Sequence, residues 1–464
     1  MKLAVLGGGG VRSAFLAKSL TLYAKELNID TIVFMDSNKD KLSIFGEVSK
    51  EVSKSINSSI NFKTTLSVEE AVEGADYIIT TIRVGEDLAR IKDETIPLEL
   101  GILGQETTGA GGFAMAMRSV AVLLEYSKII EKKANKNAVT FNFTNPAALV
   151  TQALSYAGVE RNFGICDGPA GQIHEIKQLL GYGENDSFEA ECYGLNHLSW
   201  FKNFKANGKD VNDLVLKNDK LLTDTSFRMF DKELIDLFEG SLPNTYLYFF
   251  YYREKAVQSI IESKSCRSKT IYEINQNMIS ELKNVDVKKD FKKAFEIIMT
   301  GLLKREKSYM NLESKDEGGH HISAIPNFDE FLAAPDSGGY AAVALEYIRI
   351  VKNGTSKKMI INSKNHNKAI SFLEADDIIE SDVMVNADGS IIPEKHENIP
   401  NIIKSLILSM KQYERVAAKA ILNRSIKEAK KALTMHPLIM SYSLANKVMN
   451  KYLEAHKDYI KDWK

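Results

Sequence analysis

Short runs of apolar, mostly β-branched or aromatic residues alternate with longer amphipathic stretches along the first third of the chain. Each run has the length and composition of a strand that is buried on both faces. These runs occupy residues 2–6, 31–35, 76–82 and 138–143. Helical stretches separate them, at residues 13–27, 39–56, 68–73 and 114–132. The alternation predicts an α/β fold whose N-terminal, Rossmann-type parallel sheet carries helices on both faces.

The pattern changes after about residue 164. Strand-like pieces near residues 193–204 are followed by long helical stretches at residues 220–239, 271–283, 289–303, 339–353 and 401–457. A chain of 464 residues is long for a single core. We therefore expect a Rossmann domain at residues 1–165 and a mixed α/β, helix-rich domain at residues 166–464. No flexible linker is evident, so the two parts are expected to pack tightly around a site between them.

Composition narrows the classes of partner. Lys and Arg (60) nearly balance Asp and Glu (61), and no basic run stands out, which gives no support for nucleic-acid binding. No stretch reaches the apolar length that spans a bilayer, and the first apolar run is too short for a signal peptide. Three cysteines do not make a disulfide framework in so long a chain. We expect a cytoplasmic protein without a nucleic-acid or membrane partner.

Four consecutive glycines follow the first predicted strand and precede a predicted helix. A Rossmann fold binds the pyrophosphate of a dinucleotide at such a loop, which consists here of Gly7, Gly8, Gly9 and Gly10. Arg12 stands where the third glycine of the usual spacing would fall, so the motif alone is weak. Asp36 ends the second predicted strand, where an acid accepts hydrogen bonds from ribose and repels a 2′-phosphate. Together they predict NAD binding; the alternative is a glycine turn and a helix-capping Asp.

Several longer motifs stand out along the chain. They are GGGGVRS at 7–13, TIRVG at 81–85, GQETTGAGGF at 104–113, NFTNP at 142–146, GICD at 164–167, YGLNHLSW at 193–200, PNTYL at 243–247 and MHPL at 435–438. In these motifs and in their order the chain resembles the family 4 glycoside hydrolases, which are NAD- and manganese-dependent 6-phospho-glycosidases, and most of all their 6-phospho-β-glucosidase group.

The resemblance implies an unusual hydrolysis. NAD oxidises the sugar at C3, a base removes the proton from C2, and a divalent metal, expected to be Mn²⁺, stabilises the enediolate. The leaving group then departs from C1 by elimination, water adds, and the hydride returns. The family is an exception to glycosidase chemistry that uses two carboxylates.

The resemblance also implies roles for residues near the metal. Cys166 and His197 correspond to metal ligands, and Tyr246 to the catalytic base. Tyr248 remains a rival for that role because an aromatic run follows Tyr246 directly. Asp167 corresponds to a general acid in members that cleave α-linkages, whereas many β-specific members carry Asn there. Without the resemblance, Cys166 and His197 would be read as buried structural residues, Tyr246 as a core aromatic and Asp167 as a helix cap.

Further residues are implied to contact the sugar, its phosphate or the cofactor. Asn145 corresponds to a residue that holds sugar hydroxyls. Ser13, Arg90 and Arg267 are expected near the 6-phosphate, which arginine forks bind well, although each arginine alone could be a surface residue. Arg83 is expected beside the cofactor. Glu106 is expected in the cleft without an assigned role, and His320 and His321 are read as cleft-lining or structural.

The sequence thus predicts a 6-phospho-β-glucosidase that acts on a small phosphorylated sugar as a homodimer or homotetramer. A 6-phospho-α-glucosidase with Asp167 as general acid is the first alternative. The second is a plain NAD-dependent hydroxy-acid dehydrogenase, which would need a His–Asp relay. A non-catalytic nucleotide sensor would be expected to lack the Cys166–His197 pair or Tyr246. The choice between glucose and galactose, and the identity of the aglycone, stay open.

Overall fold

Six parallel strands form the N-terminal part of the sheet. The computed structural model describes residues 1–308, 312, 326–336 and 338–464, with Tyr340 described by its backbone alone. The parallel strands are β1 (Lys2–Leu6), β2 (Thr31–Met35), β3 (Asn61–Thr65), β4 (Tyr77–Thr80), β5 (Val139–Asn142) and β6 (Asn162–Gly164). They lie in the order β3-β2-β1-β4-β5-β6. This is the strand order of a dinucleotide-binding Rossmann sheet, so the predicted fold class is confirmed.

Helices cover both faces of these strands. Their bounds are Ser13–Leu22, Ala24–Leu27, Lys39–Lys41, a π-helical turn at Leu42–Gly46, Glu47–Ile56, Val68–Val72, Glu86–Leu98, Gly109–Lys133 and Ala147–Tyr156. Helix Glu86–Leu98 lies outside the predicted stretches because its buried face is partly charged. Arg90, Asp93 and Glu94 are all almost fully buried there, so the apolar periodicity of an ordinary amphipathic helix is lost.

The sheet does not end at β6. Seven further strands are β7 (Phe188–Leu195), β8 (Leu198–Ala206), β9 (Lys209–Asp210), β10 (Leu242–Pro243), β11 (Lys357–Lys364), β12 (Ile378–Val385) and β13 (Ile391–Pro393). Strand β11 pairs antiparallel with β6, and β12, β7, β8 and β10 follow outward. All thirteen strands of the described residues thus belong to one sheet. The domain boundary predicted at residue 165 falls at the change from parallel to antiparallel pairing and stays a prediction.

The second half is rich in helices, as predicted. Their bounds are Gly168–Leu179, Asn212–Leu216, Lys232–Leu237, Tyr248–Tyr251, Arg253–Glu262, Arg267–Leu282, Phe291–Lys307, Phe328–Ala333, Gly339–Asn353, Asn401–Leu422, Ile426–Met435 and Tyr442–Ala455, with 3₁₀ turns at Ser226–Met229, Thr245–Leu247 and His366–Lys368. The single long helix predicted at 220–239 is wrong. Thr225 accepts a hydrogen bond from the Phe227 N–H and caps a 3₁₀ turn there, which divides the segment.

Two large apolar clusters stabilise the fold on opposite faces of the sheet. One packs the helices after residue 400 against β7, β8 and helix Ala147–Tyr156, with Trp200 and Phe201 fully buried. The other packs the first helices with helices Phe291–Lys307 and Gly339–Asn353. The later helices therefore cover the Rossmann strands. Within the part of the chain that the structure describes, no helix is long and apolar enough to cross a membrane.

His396 is a buried imidazole that contributes to stability in a pH-dependent way. It lies against the Tyr193 ring at 5.5 Å between centroids, and neither ring nitrogen has a hydrogen-bond partner among the described residues. Burial, with Lys202 nearby, lowers the pKa of His396 to about 4. Since an imidazole in the unfolded chain titrates near pH 6.5, the unfolded state binds a proton that the folded state does not between these values. The free energy of unfolding therefore falls as the pH falls through this window.

We predict that His396→Phe reduces the fall in the free energy of unfolding at low pH. Urea unfolding at pH 7 and pH 5 should show a smaller drop for the variant than for the unsubstituted chain, by up to about 1.4 kcal/mol per pH unit. The exposed His366 provides the control, and His366→Phe should keep the original pH dependence. Equal drops in all three proteins would show that His396 is not a buried neutral group.

Candidate active site

A cleft of ≈ 1500 Å³ opens at the carboxyl ends of the parallel strands. Segments that follow β1, β2, β4, β5 and β6 line one side of it, and residues from the second half of the chain line the other. Ligands bind at this edge of open α/β sheets because the loops there converge. Of the predicted site residues, all but Gly8 line the cleft; Gly8 packs against Phe34 instead.

The glycine loop and Asp36 form one hydrogen-bonded unit. Gly7 has φ 105°, and a Cβ there would lie 2.3 Å from the Thr81 carbonyl oxygen, so only glycine fits. The Gly9 N–H donates to Asp36 Oδ2 at 3.0 Å, and the Asn38 N–H donates to Asp36 Oδ1 at 2.9 Å. These bonds hold the carboxylate beside the loop.

The geometry of this loop fits a dinucleotide. Helix Ser13–Leu22 begins directly after it, so its positive end faces the cleft. At Gly10 an added Cβ would meet no atom closer than 3.9 Å, which leaves room for a phosphate. The Ser13 hydroxyl donates to the Gly8 carbonyl at 2.6 Å, so its proton is already used within the loop.

Cys166 and His197 converge from different halves of the sheet. Cys166 follows β6, and His197 lies in the two-residue turn between β7 and β8. Their Sγ and Nε2 atoms are 3.5 Å apart. An ion about 2.3 Å from sulfur and about 2.1 Å from nitrogen, with tetrahedral geometry, separates two such ligands by about 3.6 Å. The pair therefore fits one metal ion. No group of three His, Cys, Asp or Glu ligands converges among the described residues, so substrate or water oxygens would complete the site.

The buried carboxylate of Glu380 holds the turn that carries His197. Asn196 Nδ2 and Asn362 Nδ2 donate to Glu380 Oε1 at 2.9 and 3.2 Å, and Ser199 Oγ donates to Oε2 at 2.8 Å. His197 itself has φ 62°, a left-handed conformation that is uncommon for histidine. Glu380 was not found from the sequence because it lies on β12, far along the chain, without any local motif.

Burial shifts the pKa values of both Cys166 and His197. It raises the pKa of the Cys166 thiol well above its usual value, and the nearby Glu380 and Asp167 add to the effect. Burial lowers the pKa of His197 to about 4, so the imidazole is neutral at pH 7 and able to donate a lone pair. A bound cation deprotonates a coordinating thiol outright, which is what this thiol requires to act as a ligand.

Tyr246 lies next to this pair. Its ring stacks on the His197 ring with centroids 4.0 Å apart and planes inclined by 6°. Asn244 Oδ1 accepts the Tyr246 N–H at 3.1 Å and caps the 3₁₀ turn that presents the ring. Tyr248, the rival, is only 6% exposed, stacks on Tyr252 and does not line the cleft. Geometry therefore favours Tyr246 as the tyrosine that contacts a ligand.

Asp167 lines the cleft immediately after Cys166. It precedes helix Gly168–Leu179, yet its side chain makes no capping hydrogen bond. Burial raises the pKa of Asp167, and the positive charge of Arg12 opposes the rise. The reading of Asp167 as a helix cap therefore does not agree with the structure.

Glu106 and three arginines form a charged wall of the cleft. Arg83 Nη1 lies 2.7 Å and Arg90 Nη1 lies 3.2 Å from Glu106 Oε2, and Arg90 Nε donates to Glu94 at 2.8 Å. Burial alone would raise the pKa of Glu106, but Arg83 and Arg90, with Arg267 further away, hold it well below its usual value. Glu106 is thus an anion that positions Arg83 and Arg90 at the cleft surface.

A second group of basic residues lines the same cleft near the C-terminal end of helix Phe291–Lys307. Arg305 lines the cleft, and burial and the nearby Arg12 lower the pKa of its guanidinium to about 9. Arg267 Nη1 donates to Ser308 Oγ at 3.3 Å, and Arg12 is ion-paired with Glu306. The sequence reasoning did not identify Arg305 or Glu306, because no motif surrounds them. His320 and His321 lie outside the described residues.

Fold and cleft together define a Rossmann-type protein with a deep, charged site that joins a glycine loop to a Cys–His pair. The family model described as family 4 glycosyl hydrolase matches residues 2–182, and that of the family 4 glycosyl hydrolase C-terminal domain matches residues 192–439. The chain belongs to family 4 of the glycosyl hydrolases. The family and the glycoside hydrolase class predicted from the motifs are therefore confirmed.

Similar proteins match this chain over almost its whole length. The 6-phospho-beta-glucosidase BglT of Thermotoga maritima is 29% identical over 468 residues, which are 99% of this chain and 100% of that protein. A structure of the 6-phospho-beta glucosidase from Thermotoga maritima with manganese, NAD+ and glucose-6-phosphate has a TM-score of 0.80 at 28% identity and covers 99% of this chain and 100% of that one. A 6-phospho-alpha-glucosidase from gut microorganisms, in complex with NAD and glucose-6-phosphate, has a TM-score of 0.81 at 25% identity and covers 100% of both chains.

We predict that Glu380→Gln destabilises the protein by about 1–3 kcal/mol. The amide replaces one acceptor oxygen with a donor, so at least one of the groups that now donate to Glu380 loses its acceptor. Asp382→Asn is a matched control on the same strand, because Asp382 accepts the Cys192 N–H at 2.7 Å and an amide oxygen can still do so. Urea unfolding of both variants measures the difference, and equal losses would contradict the bracing role of Glu380.

Proposed function

We propose that the protein is a 6-phospho-β-glucosidase that hydrolyses small phosphorylated glycosides with NAD and a divalent metal, Mn²⁺ in the first instance. The observation that carries the proposal is the Cys166–His197 pair, 3.5 Å apart, with Tyr246 stacked on it in the cleft that also contains the glycine loop. Full-length similarity to a 6-phospho-beta-glucosidase, including one solved with manganese, NAD+ and glucose-6-phosphate, supports the substrate class.

The cofactors have defined residues to hold them. Gly7, Gly8, Gly9 and Gly10 with the following helix bind the pyrophosphate, Asp36 binds the adenosine ribose, and Arg83 borders the cofactor. Cys166 and His197 hold the metal ion. When bound, NAD would supply the hydride acceptor for sugar C3, and the cation would supply positive charge for the adjoining sugar oxygens.

The protein's own side chains move protons and orient the sugar. Tyr246 acts as the base in its phenolate form, which a cation at the Cys166–His197 pair would stabilise, and accepts the C2 proton on its oxygen. Its ring lies flat against His197 and so borders any sugar bound at that pair. Asn145 binds sugar hydroxyls from the segment after β5. Loss of the C2 proton lets the leaving group depart from C1, and this group takes a proton from solvent. The hydroxyl group of a water molecule then adds at C1, its other proton passes to solvent, and Tyr246 returns the proton to C2.

The 6-phosphate is bound by Arg267 together with Arg90 and Ser13. Arg305 joins this group, because it lines the cleft and its backbone carbonyl is 3.5 Å from Arg267 Nη2. Because Arg90 is already paired with Glu94 and Glu106, it attracts the phosphate mainly by its charge and does not offer both guanidinium donors for direct hydrogen bonds. The Ser13 hydroxyl can only accept a hydrogen bond while it donates to Gly8.

Cleavage of α-linkages is the second candidate. Asp167 favours it, because its carboxyl group lines the cleft beside Cys166 and makes no helix-capping bond. In that reaction Asp167 donates a proton to the oxygen that leaves C1. The 6-phospho-alpha-glucosidase of 25% identity keeps this alternative open, and the higher identity to the β-specific relative favours β.

The proposal also includes the domain organisation, the cellular location and the oligomeric state. Residues 1–165 form the NAD-binding domain, and residues 166–464 form the domain for substrate, metal and oligomerisation. The enzyme acts in the cytoplasm, where phosphorylated sugars are found. It assembles as a homodimer or homotetramer, and no nucleic acid or membrane takes part.

The test is release of p-nitrophenol from its β-glucoside 6-phosphate with NAD, Mn²⁺ and a reductant, each omitted in turn. We expect release that requires both NAD and metal and yields no net NADH, because the hydride returns in each turnover. Release only from the α-anomer would assign the second candidate. NADH formed in proportion to product would identify a dehydrogenase, and release without NAD would contradict the mechanism.

We predict that Tyr246→Phe lowers kcat by at least about 100-fold, the usual contribution of a general base, while the Kd for NAD is unchanged. Steady-state kinetics and NAD titration measure both. Tyr248→Phe is the matched control: its ring is buried away from the cleft, so its kcat should stay within a few-fold. If Tyr248→Phe loses activity and Tyr246→Phe keeps it, the base has been assigned to the wrong tyrosine.

A further inference from the structure

Two large apolar side chains are exposed together at one rim of the cleft. Leu88 is 59% and Tyr459 is 46% exposed, and both line the cleft. The Tyr459 ring packs against the backbone of Gly85, where an added Cβ would lie 3.2 Å from two ring carbons. Exposed apolar groups that border a binding cleft indicate contact with an apolar part of a ligand.

This rim belongs to the same end of the cleft as Asp36. Glu86 follows Gly85 and accepts a hydrogen bond from Asn38 Nδ2 at 2.9 Å, and it also pairs with Lys41 at 3.0 Å. Asn38 in turn donates its N–H to Asp36. The segment after β4 and the segment after β2 are thereby joined beside the ribose-binding acid, which is where the adenosine half of a dinucleotide lies in a Rossmann fold.

Tyr459 is held in place by a buried network of charges. Its N–H donates to the His456 carbonyl at 2.8 Å. His456 Nε2 lies 2.8 Å from Asp93 Oδ1, and Arg118 binds both Asp93 oxygens at 2.7 and 2.6 Å. All three of these side chains are at most 1% exposed. Because Asp93 lies on helix Glu86–Leu98, which starts at this rim, the network fixes Tyr459 relative to the cleft.

We propose that Tyr459, with Leu88 beside it, forms one face of the adenine subsite of the NAD site. The ring offers a flat apolar surface to a flat aromatic base, and base–aromatic contacts of this kind are tolerant of base identity and substantial in energy. Tyr459 follows the residues that the family models match, which end at 439. The inference rests on the proposed function in one respect, that the dinucleotide is the ligand of this cleft.

The test compares the two halves of the cofactor in binding, without turnover. Isothermal titration of the whole chain gives the Kd for NAD, ADP-ribose and nicotinamide mononucleotide. Tyr459→Ala should raise the Kd for NAD and for ADP-ribose about tenfold and leave the Kd for nicotinamide mononucleotide unchanged. Tyr459→Phe should leave all three Kd values unchanged. Leu88→Ala should raise the Kd for NAD and for ADP-ribose to a smaller extent. Tyr442→Ala, which removes an exposed tyrosine away from the cleft, is the control.

Two outcomes would overturn the proposal. Unchanged ADP-ribose affinity in Tyr459→Ala would show that the ring makes no contact with adenosine. Equal weakening of all three ligands in Tyr459→Ala and Tyr459→Phe would indicate a general disturbance of the cleft. The proposed function is tested separately, by whether the unsubstituted enzyme binds NAD and needs it for p-nitrophenol release; if it does, failure of the Tyr459 variants concerns this inference alone.

Discussion

The close pairing of β6 with β11 is the contact on which the site depends. It occurs at Gly164 and Asn362, where an added Cβ on Gly164 would lie 2.7 Å from Asn362 Cβ, so the strands meet only because that position is glycine. This contact joins the parallel strands to the antiparallel ones. Cys166 follows β6 by two residues, and Asn362 also donates to Glu380 beneath the His197 turn. This backbone approach therefore helps to bring Cys166 Sγ and His197 Nε2, the proposed metal ligands, to 3.5 Å from each other.

Buried charge provides the second level of organisation. Glu380 and Asp93 are almost fully buried and Glu106 is partly buried, and each is surrounded by several donors or by arginine. A buried carboxylate without such partners would be costly, whereas a well-paired one restricts its neighbours to a single arrangement. These three carboxylates fix, in turn, the turn that carries His197, the arginines of the cleft wall and the segment that carries Tyr459. The active-site geometry is thus specified by groups that do not themselves need to touch substrate.

The distribution of roles along the cleft follows from the topology of the sheet. Segments after the parallel strands supply the groups expected at the cofactor and at one wall of the sugar site. Segments from the second half of the chain supply His197, Tyr246, Arg267 and Arg305. In the proposed reaction, a sugar bound between them would contact the nicotinamide on one side and Tyr246, the proposed base, on the other. Chemistry that passes a hydride and a proton at neighbouring carbons needs such an arrangement, with both groups directed at one ring.

The sequence by itself determined the Rossmann strands, the glycine loop with Asp36, and the motifs that contain Cys166, His197 and Tyr246. These features have local signals: buried strands have a characteristic composition, a glycine loop must follow the first strand, and family motifs are contiguous. Only the tertiary structure decided that the sheet is continuous and that Tyr246 and not Tyr248 faces the cleft. It also decided that Arg305 and Tyr459 line the cleft and that Glu380 lies beneath the turn with His197. Each of these depends on contacts between segments far apart in the chain. Such contacts result from the packing of whole elements and leave no periodicity or spacing in the residues around them, and for the same reason the charged, buried helix Glu86–Leu98 was missed.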